Sequence, residues 1–380
     1  MSRAFQAQPA RRKRALAARL PVLGMLAAIL LGTRSPAAAP QTAPDYLFND
    51  SHFHLTNYVQ EGPTIQQFLE VMGDKVGRVA LFGIPLQQQW SARVTGDIAP
   101  KYYLDSDEDL YYYSFTDAHI AMQYRSLTPE QRARFDPMIT GFNPADMYAA
   151  DHVRRVLETF PGVFTGIGEF TIHKEFVSSK ISGNVASLTD PALDRILDFA
   201  GEVGLIAIIH NDIAMPFPKP EQAGIYVEQM RDLLRRHPQT TIIWAHGGVG
   251  RIIQPLQNHM GILESILDDP AFSHVYFDLS WDQMAKYIVA TPDTVKRTAA
   301  GIERHPGRFL FGTDEVAPPD QTTYLRVFHQ YEPLWKALKP ETSRKVRKEN
   351  YERLFDAARV KVRAWEAEHA GAARPASPLP

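Results

Sequence analysis

From Leu47 onward, short runs of β-branched and aromatic residues alternate with longer stretches whose apolar positions recur every three or four residues. Eight such runs stand out, at 47–53, 77–83, 137–142, 164–170, 205–210, 240–246, 274–279 and 308–313. Most are continuously apolar, the pattern of strands covered on both faces. Helical stretches separate them. One spans 144–160 behind Asn143-Pro144, and another spans 190–203, opened by Asp190-Pro191 with Gly204 beyond its end. A third, 222–236, keeps helical spacing until His237-Pro238. Eight strands alternating with helices predict an α/β fold, a (β/α)8 TIM barrel, with a doubly wound open sheet as the rival.

The interval between Gly83 and Pro137 is too long for a plain strand-to-helix connection. It carries Tyr102, Tyr103, Tyr111, Tyr112, Tyr113 and Phe115 among the acids Asp105, Asp107, Glu108 and Asp109. As a long insertion after strand 2 it overhangs the catalytic face of a barrel, where its aromatics either line a substrate site or pack the insertion down. Past the last strand, 341–368 reads as a charged C-terminal helix; the barrel is expected to occupy 40–368 and a disordered small-residue tail 369–380.

Composition narrows the class. Hydrophobic residues make up 44% and charged ones 22%, the balance of a soluble globular chain and not of a disordered or many-spanning one. There is no cysteine, hence no disulfide, thiolate nucleophile or Cys-ligated zinc. The formal net charge is −2, but residues 1–39 hold Arg3, Arg11, Arg12, Lys13, Arg14, Arg19 and Arg34 and no acid, leaving the remainder at −9. No nucleic-acid partner is expected of so acidic a body. The basic stretch precedes an apolar run from Pro21 to Gly32 and small residues at Ser35, Ala37, Ala38 and Ala39, the order of a secretory signal peptide. That run is short for a membrane-spanning helix, so an exported, periplasmic or secreted protein with no stable span after signal removal is expected. Nothing in the sequence opposes a homo-oligomer.

Candidate chemistry lies at the ends of the runs. His52-Phe53-His54 closes the first, and residues i and i+2 of a strand face the same way, so both imidazoles can reach one metal. Glu169 ends the fourth run, His210 the fifth and His246 the sixth, while Asp314 follows the eighth. A barrel brings these ends to one face, and a divalent cation is the partner that serves several buried carboxylates and imidazoles at once. His173 and Glu175 lie just beyond Glu169, where they contact substrate or shape the loop; Trp281 follows the seventh run as an apolar wall for substrate. Asn211 and Asp212 follow His210, where residues that orient a ligand are expected.

The H-x-H on strand 1, His210 on strand 5, Ala245-His246-Gly247-Gly248 on strand 6 and Gly312-Thr313-Asp314 on strand 8 resemble the amidohydrolase superfamily. The resemblance is closest to its amidohydrolase-related branch, which includes aminocarboxymuconate-semialdehyde decarboxylase. It covers about residues 46–360, including Asn350 to Phe355. It implies His52, His54, His210 and Asp314 around a metal, with zinc the expected ion, and His246 beside it to polarise substrate or donate a proton. At strand 4, where many binuclear members carry a carboxylated lysine, Glu169 stands instead, similar to the bridging Glu of the superfamily's metal-dependent DNases. One ion is preferred; two, bridged by Glu169 with His210 and His246 on the second, remain open. Lys174 lies too far along to be the first choice for a carboxylated bridge.

The implied activity is a metal-dependent hydrolase that turns activated water on an amide, lactone or ester bond of a small-molecule substrate, with Asp314 as general base and proton donor. Non-oxidative decarboxylation of an unsaturated or aromatic acid uses the same residues and is the alternative, favoured if a cationic residue faces the substrate carboxylate. A non-catalytic exported metal- or ligand-binding barrel is the alternative of another class.

Overall fold

A computed structural model describes residues 45–217, 219 and 224–369. The expected signal peptide and residues 370–380 of the expected tail lie outside them. Eight staves follow one another in chain order: β1 (Phe48–His54), β2 (Val76–Phe82), β3 (Phe135–Ile139), β4 (Gly166–Thr171), β5 (Ile206–His210), β6 (Ile242–Trp244), β7 (Val275–Asp278) and β8, which is broken into Phe309–Leu310 and Glu315–Val316. All pairings between neighbours are parallel. The first piece of β8 pairs with β7 and the second with β1, aligning His54 with Val316. The ring therefore closes as a barrel, and the open sheet is excluded.

Strand alternation sorts the apolar residues into two cores. On β2, Val79 and Leu81 join the large outer core under the helices, whereas Ala80 and Phe82 face the interior. On β5, Ala207 and Ile209 point out, and Ile206 and Ile208 point in. The interior layer ends against Tyr351, Leu354, Phe355 and Ala358 of the helix Asn350–His369, which stoppers one end of the barrel. Polar contacts hold that stopper. Asp136 on β3, fully buried, accepts from the Tyr351 hydroxyl at 2.8 Å, from Arg359 at 2.6 Å and from Arg78 at 2.8 Å.

Several boundaries differ from those read in the sequence. Asp190 caps the helix Pro191–Val203 by accepting from Ala192 N, and Gly204 ends it in the left-handed region, both as expected. Asn143 instead turns the chain, accepting from Ala145 N at 2.9 Å, and the helix expected from 144 starts at Ala149. Residues 222 and 223 of the expected third helix lie outside the described residues, and the helix runs Ile225–Arg236. The sixth stave stops at Trp244, so His246 lies in a tight turn over Ala245–Gly248. Asp314 sits within the broken eighth stave, between its two pieces. The insertion after β2 forms an antiparallel ribbon, Leu86–Gln88 with Leu110–Tyr112, and a helix, Phe115–Arg125. Among the described residues no helix is long and apolar enough to cross a membrane.

Candidate metal centre

On β1, Phe53 points outward and stacks on Phe68 with ring centres 3.8 Å apart, so His52 and His54 necessarily face the interior. Glu169 reaches the same place by another route. The register between β4 and β5 shifts between Ile167 and Phe170, and Gly168, at φ 110°, comes so near β5 that a Cβ there would stand 2.2 Å from Ile208 O. Only glycine allows that approach, and the shift turns Glu169 inward. His246, Trp281 and Asp314 all have positive φ, at 55°, 75° and 52°. Side chains rarely adopt that region, so the fold must hold them there. It does so through their backbone N–H groups, which donate to Asp278 Oδ1 at 2.8 Å, Thr313 O at 3.2 Å and His52 O at 2.8 Å respectively.

The side chains converge in two groups of donors that share His52: His52, His54 and Asp314, and His52, Glu169 and His246. In each, the donor atoms lie within 4.8 Å of one another. The Nε2 atoms of His52 and His54 stand 3.4 and 3.2 Å from Asp314 Oδ1. Two ligands about 2.0–2.1 Å from one tetrahedral ion are separated by roughly 3.3 Å, so the first group has the dimensions of a cation site. Orientation agrees. His52 Nδ1 is bonded to Asp278 Oδ2 at 3.0 Å and His54 Nδ1 to the Gly83 carbonyl at 3.0 Å, which turns each Nε2 inward, where a cation can take the place of a proton. The buried His52 Nε2 has no hydrogen-bond partner, the signature of a group awaiting a ligand. Imidazole and carboxylate donors suit zinc and similar divalent ions.

His210 stands behind Glu169. Its Nδ1 is 2.6 Å from Glu169 Oε1 and its Nε2 3.3 Å from Asp212 Oδ1, and it belongs to neither donor group. His246 places Nε2 3.3 Å from Glu169 Oε1 and Nδ1 2.8 Å from Ser280 Oγ. Charge is dense here. Burial opposes ionisation of His52, but Asp314, Asp278 and Glu169 outweigh it and raise its pKa to about 9. Burial likewise works against the Asp314 carboxylate, yet His52, His54 and His246 hold its pKa below the usual range. Glu169 is lowered against the same burial by Lys174, His210 and His246.

A cavity of about 280 Å³ opens above this centre, lined by His54, Glu169 and Asp314 and, around them, by Tyr58, Tyr102, Tyr103, Lys174, Arg251 and Trp281. The insertion thus reaches the site through Tyr102 and Tyr103 alone of its six named aromatics; Tyr111 and Phe115 are exposed. Trp281 lines the cavity, with its ring 5.1 Å from that of His246. His173 does not. It stacks on Tyr226, ring centres 4.0 Å apart, and lines a separate hollow of about 210 Å³. Glu175 is buried beneath the loop at 250–252 and shapes it. Sequence reasoning passed over Asp278, Ser280, Tyr58 and Arg251. Asp278 ends the seventh stave, and the rule that selected Glu169 and His210 was able to find it; Arg251 carries no such signal.

A family model described as amidohydrolase matches residues 50–357. No curated protein sequence matches the chain. Among solved structures, a zinc-bound amidohydrolase from Burkholderia multivorans aligns with a TM-score of 0.50 at 12% identity, over 82% of this chain and 99% of that one. A putative 2-pyrone-4,6-dicarboxylic acid hydrolase from Pseudomonas putida aligns with a TM-score of 0.48 at 14% identity, over 82% of this chain and 98% of that one. At such identity the likeness to the Burkholderia protein is one of fold. The family model spans the barrel from β1 to the C-terminal helix, and the chain belongs to the amidohydrolase family, at that level a metal-dependent hydrolase.

Proposed function

We propose that the protein hydrolyses an amide, lactone or ester bond of a small molecule, using a divalent cation, zinc by preference, held by His52, His54 and Asp314. Glu169 and His246 flank it from the second donor group, with His210 behind Glu169. The observation that carries this reading is the pair of donor groups beneath a cavity of small-molecule size. When bound there, a divalent cation supplies Lewis acidity, acidifying water and polarising an acyl oxygen. Asp314, the more open of the two central carboxylates, takes the proton of the attacking water and returns it to the leaving group. His246, anchored by Ser280 and Glu169, steadies charge that develops on the acyl oxygen. The order of basic, apolar and small residues in 1–39 supports export to the periplasm or medium.

Decarboxylation receives one specific observation, the cations Lys174 and Arg251 at the cavity. They meet the condition read from the sequence, but that condition does not select decarboxylation. A cation over the carboxylate that leaves stabilises the ionised acid more than carbon dioxide and raises the barrier to its loss, while a cation equally receives a carboxylate that stays. Hydrolysis is therefore the better reading.

Elemental analysis of the purified protein is expected to give about one to two equivalents of a divalent transition metal, and His52→Ala with His54→Ala to abolish loading. The loaded protein is then offered lactones, N-acyl amides and hydroxylated aromatic acids, with acid production and carbon dioxide release followed separately. Acid production, reduced at least about a hundredfold by Asp314→Asn, is the expected result. Full metal content in the double variant, or carbon dioxide as the only product, overturns the proposal.

A further inference from the structure

Three cations line the cavity; Lys101 is exposed to solvent, and the other two, Lys174 and Arg251, are satisfied differently. Lys174 Nζ lies 3.9 Å from Glu169 Oε2, so the floor of the site answers part of its charge. Arg251 has no carboxylate partner for its guanidinium among the described residues. It is half-buried and ringed by π faces, with Tyr102, Tyr103 and Trp281 ring centres at 5.4, 5.9 and 5.8 Å, and it donates to the Tyr103 hydroxyl at 3.3 Å. Aromatic faces offset some of the lost hydration of a guanidinium but leave its planar fork of donors unmatched.

The backbone beneath it is fixed. Glu175, buried, accepts from Arg251 N at 3.1 Å and Ile252 N at 3.4 Å. Asp212 accepts from Glu175 N at 2.6 Å through one oxygen and meets His210 Nε2 at 3.3 Å with the other. Arg251 is thereby tied, through Glu175, Asp212 and His210, to the same centre whose cavity it enters. A cation on so short and rigid a tether is registered against the reacting floor, which is what a specificity contact requires.

Resting on the hydrolytic reading above and naming its substrate class, we infer that the substrate is an acyl compound bearing a carboxylate or equivalent anion, which Arg251 and Lys174 receive while the scissile carbonyl lies over His54 and Asp314. The anionic group stays on the molecule through the reaction. Only the acyl bond is cleaved, with water adding to its carbon and a proton passing to the leaving atom.

The test is calorimetric titration of the zinc-loaded, full-length protein with benzenesulfonate and, separately, with neutral benzamide. Sulfonate is a poor metal ligand, so its preference reports the cations. Benzenesulfonate is expected to bind at least about tenfold more tightly than benzamide. Arg251→Gln and Lys174→Met are each expected to remove most of that preference, with benzamide affinity and zinc content unchanged, and Arg251→Lys to keep part of it. Equal affinity for the two probes in the unaltered protein overturns the inference, as does an undiminished preference in Arg251→Gln. If a variant fails to fold, the comparison in the unaltered protein decides alone. Intact zinc binding without anion preference defeats this inference and leaves the hydrolase reading standing; anion preference with no hydrolysis of any acyl compound does the reverse.

Discussion

At the scale of single residues, the centre depends on a group that never meets substrate. Asp278 is fully buried; one oxygen accepts from His52 Nδ1, and the other from the His246 backbone at 2.8 Å and Ser280 Oγ at 2.5 Å. Burial opposes its ionisation, but the hydrogen bond and charge of His52 hold its pKa below the usual range. It therefore sets the tautomer of one ligand and the backbone of a second residue at once. In Asp278→Asn one acceptor becomes a donor, and the imidazole of His52 loses its fixed orientation. Metal affinity, measured by competition with a chromophoric chelator, is expected to fall about ten- to a hundredfold. An unchanged affinity means that Asp278 only fills space.

At the scale of elements, the loops beyond the staves carry the specificity, and their geometry rests on close approaches. Gly250 is one: a Cβ there would lie 2.5 Å from Glu175 Oε2, the carboxylate that holds the next two backbone amides. Gly250→Ala is expected to push that carboxylate aside and cost about 1–3 kcal/mol in urea denaturation, with zinc content preserved. A stability equal to the parent's removes Glu175 as the anchor of the loop. The same distinction explains what was legible beforehand. His52, His54 and His210 were readable because strand parity alone aims them, as Ile206 and Ile208 inside and Ile209 outside show for β5. Glu169 was readable as a strand end, although only the register shift at Gly168 turns it inward. His246 and Asp314 were picked out, but their left-handed backbones were not foreseeable, since hydrogen bonds that their N–H groups donate to Asp278 and to the His52 carbonyl, on neighbouring staves distant in sequence, impose them. His173 lies two residues past Thr171, which lines the cavity, yet stacking on Tyr226 takes it to another hollow. Nothing local marks Arg251, whose importance arises only where the adjacent Tyr102 and Tyr103 of the insertion meet Trp281 from beyond the seventh stave.

At the scale of the whole molecule, the two ends of the barrel divide their work. The end closed by Asn350–His369 is held by Asp136 and its arginines and supports the fold; the other carries the chemistry. Acid sensitivity has an identifiable contributor packed against the Ala245–Gly248 turn. His259, at the start of the helix His259–Leu267, is buried, and burial lowers its pKa to about 4 against the opposing pull of the Gly247 backbone carbonyl, which favours the charged ring. The unfolded chain binds its proton near pH 6.5, so the neutral imidazole is tolerated fully above that value and stability is lost as pH falls from about 6.5 towards 4. Between pH 7 and pH 4 the loss from this residue is about 3 kcal/mol, and His259→Met is expected to lose that much less in urea titrations at the two pH values. Equal pH dependence in the two proteins shows that His259 finds a partner when charged. The donor groups of the metal centre have a consequence of their own. His52 belongs to both, and an imidazole nitrogen has one lone pair to give. The two berths are thus rivals for a single donor, so stoichiometry is built into β1: the first equivalent settles with His52, and any second must make do with poorer company.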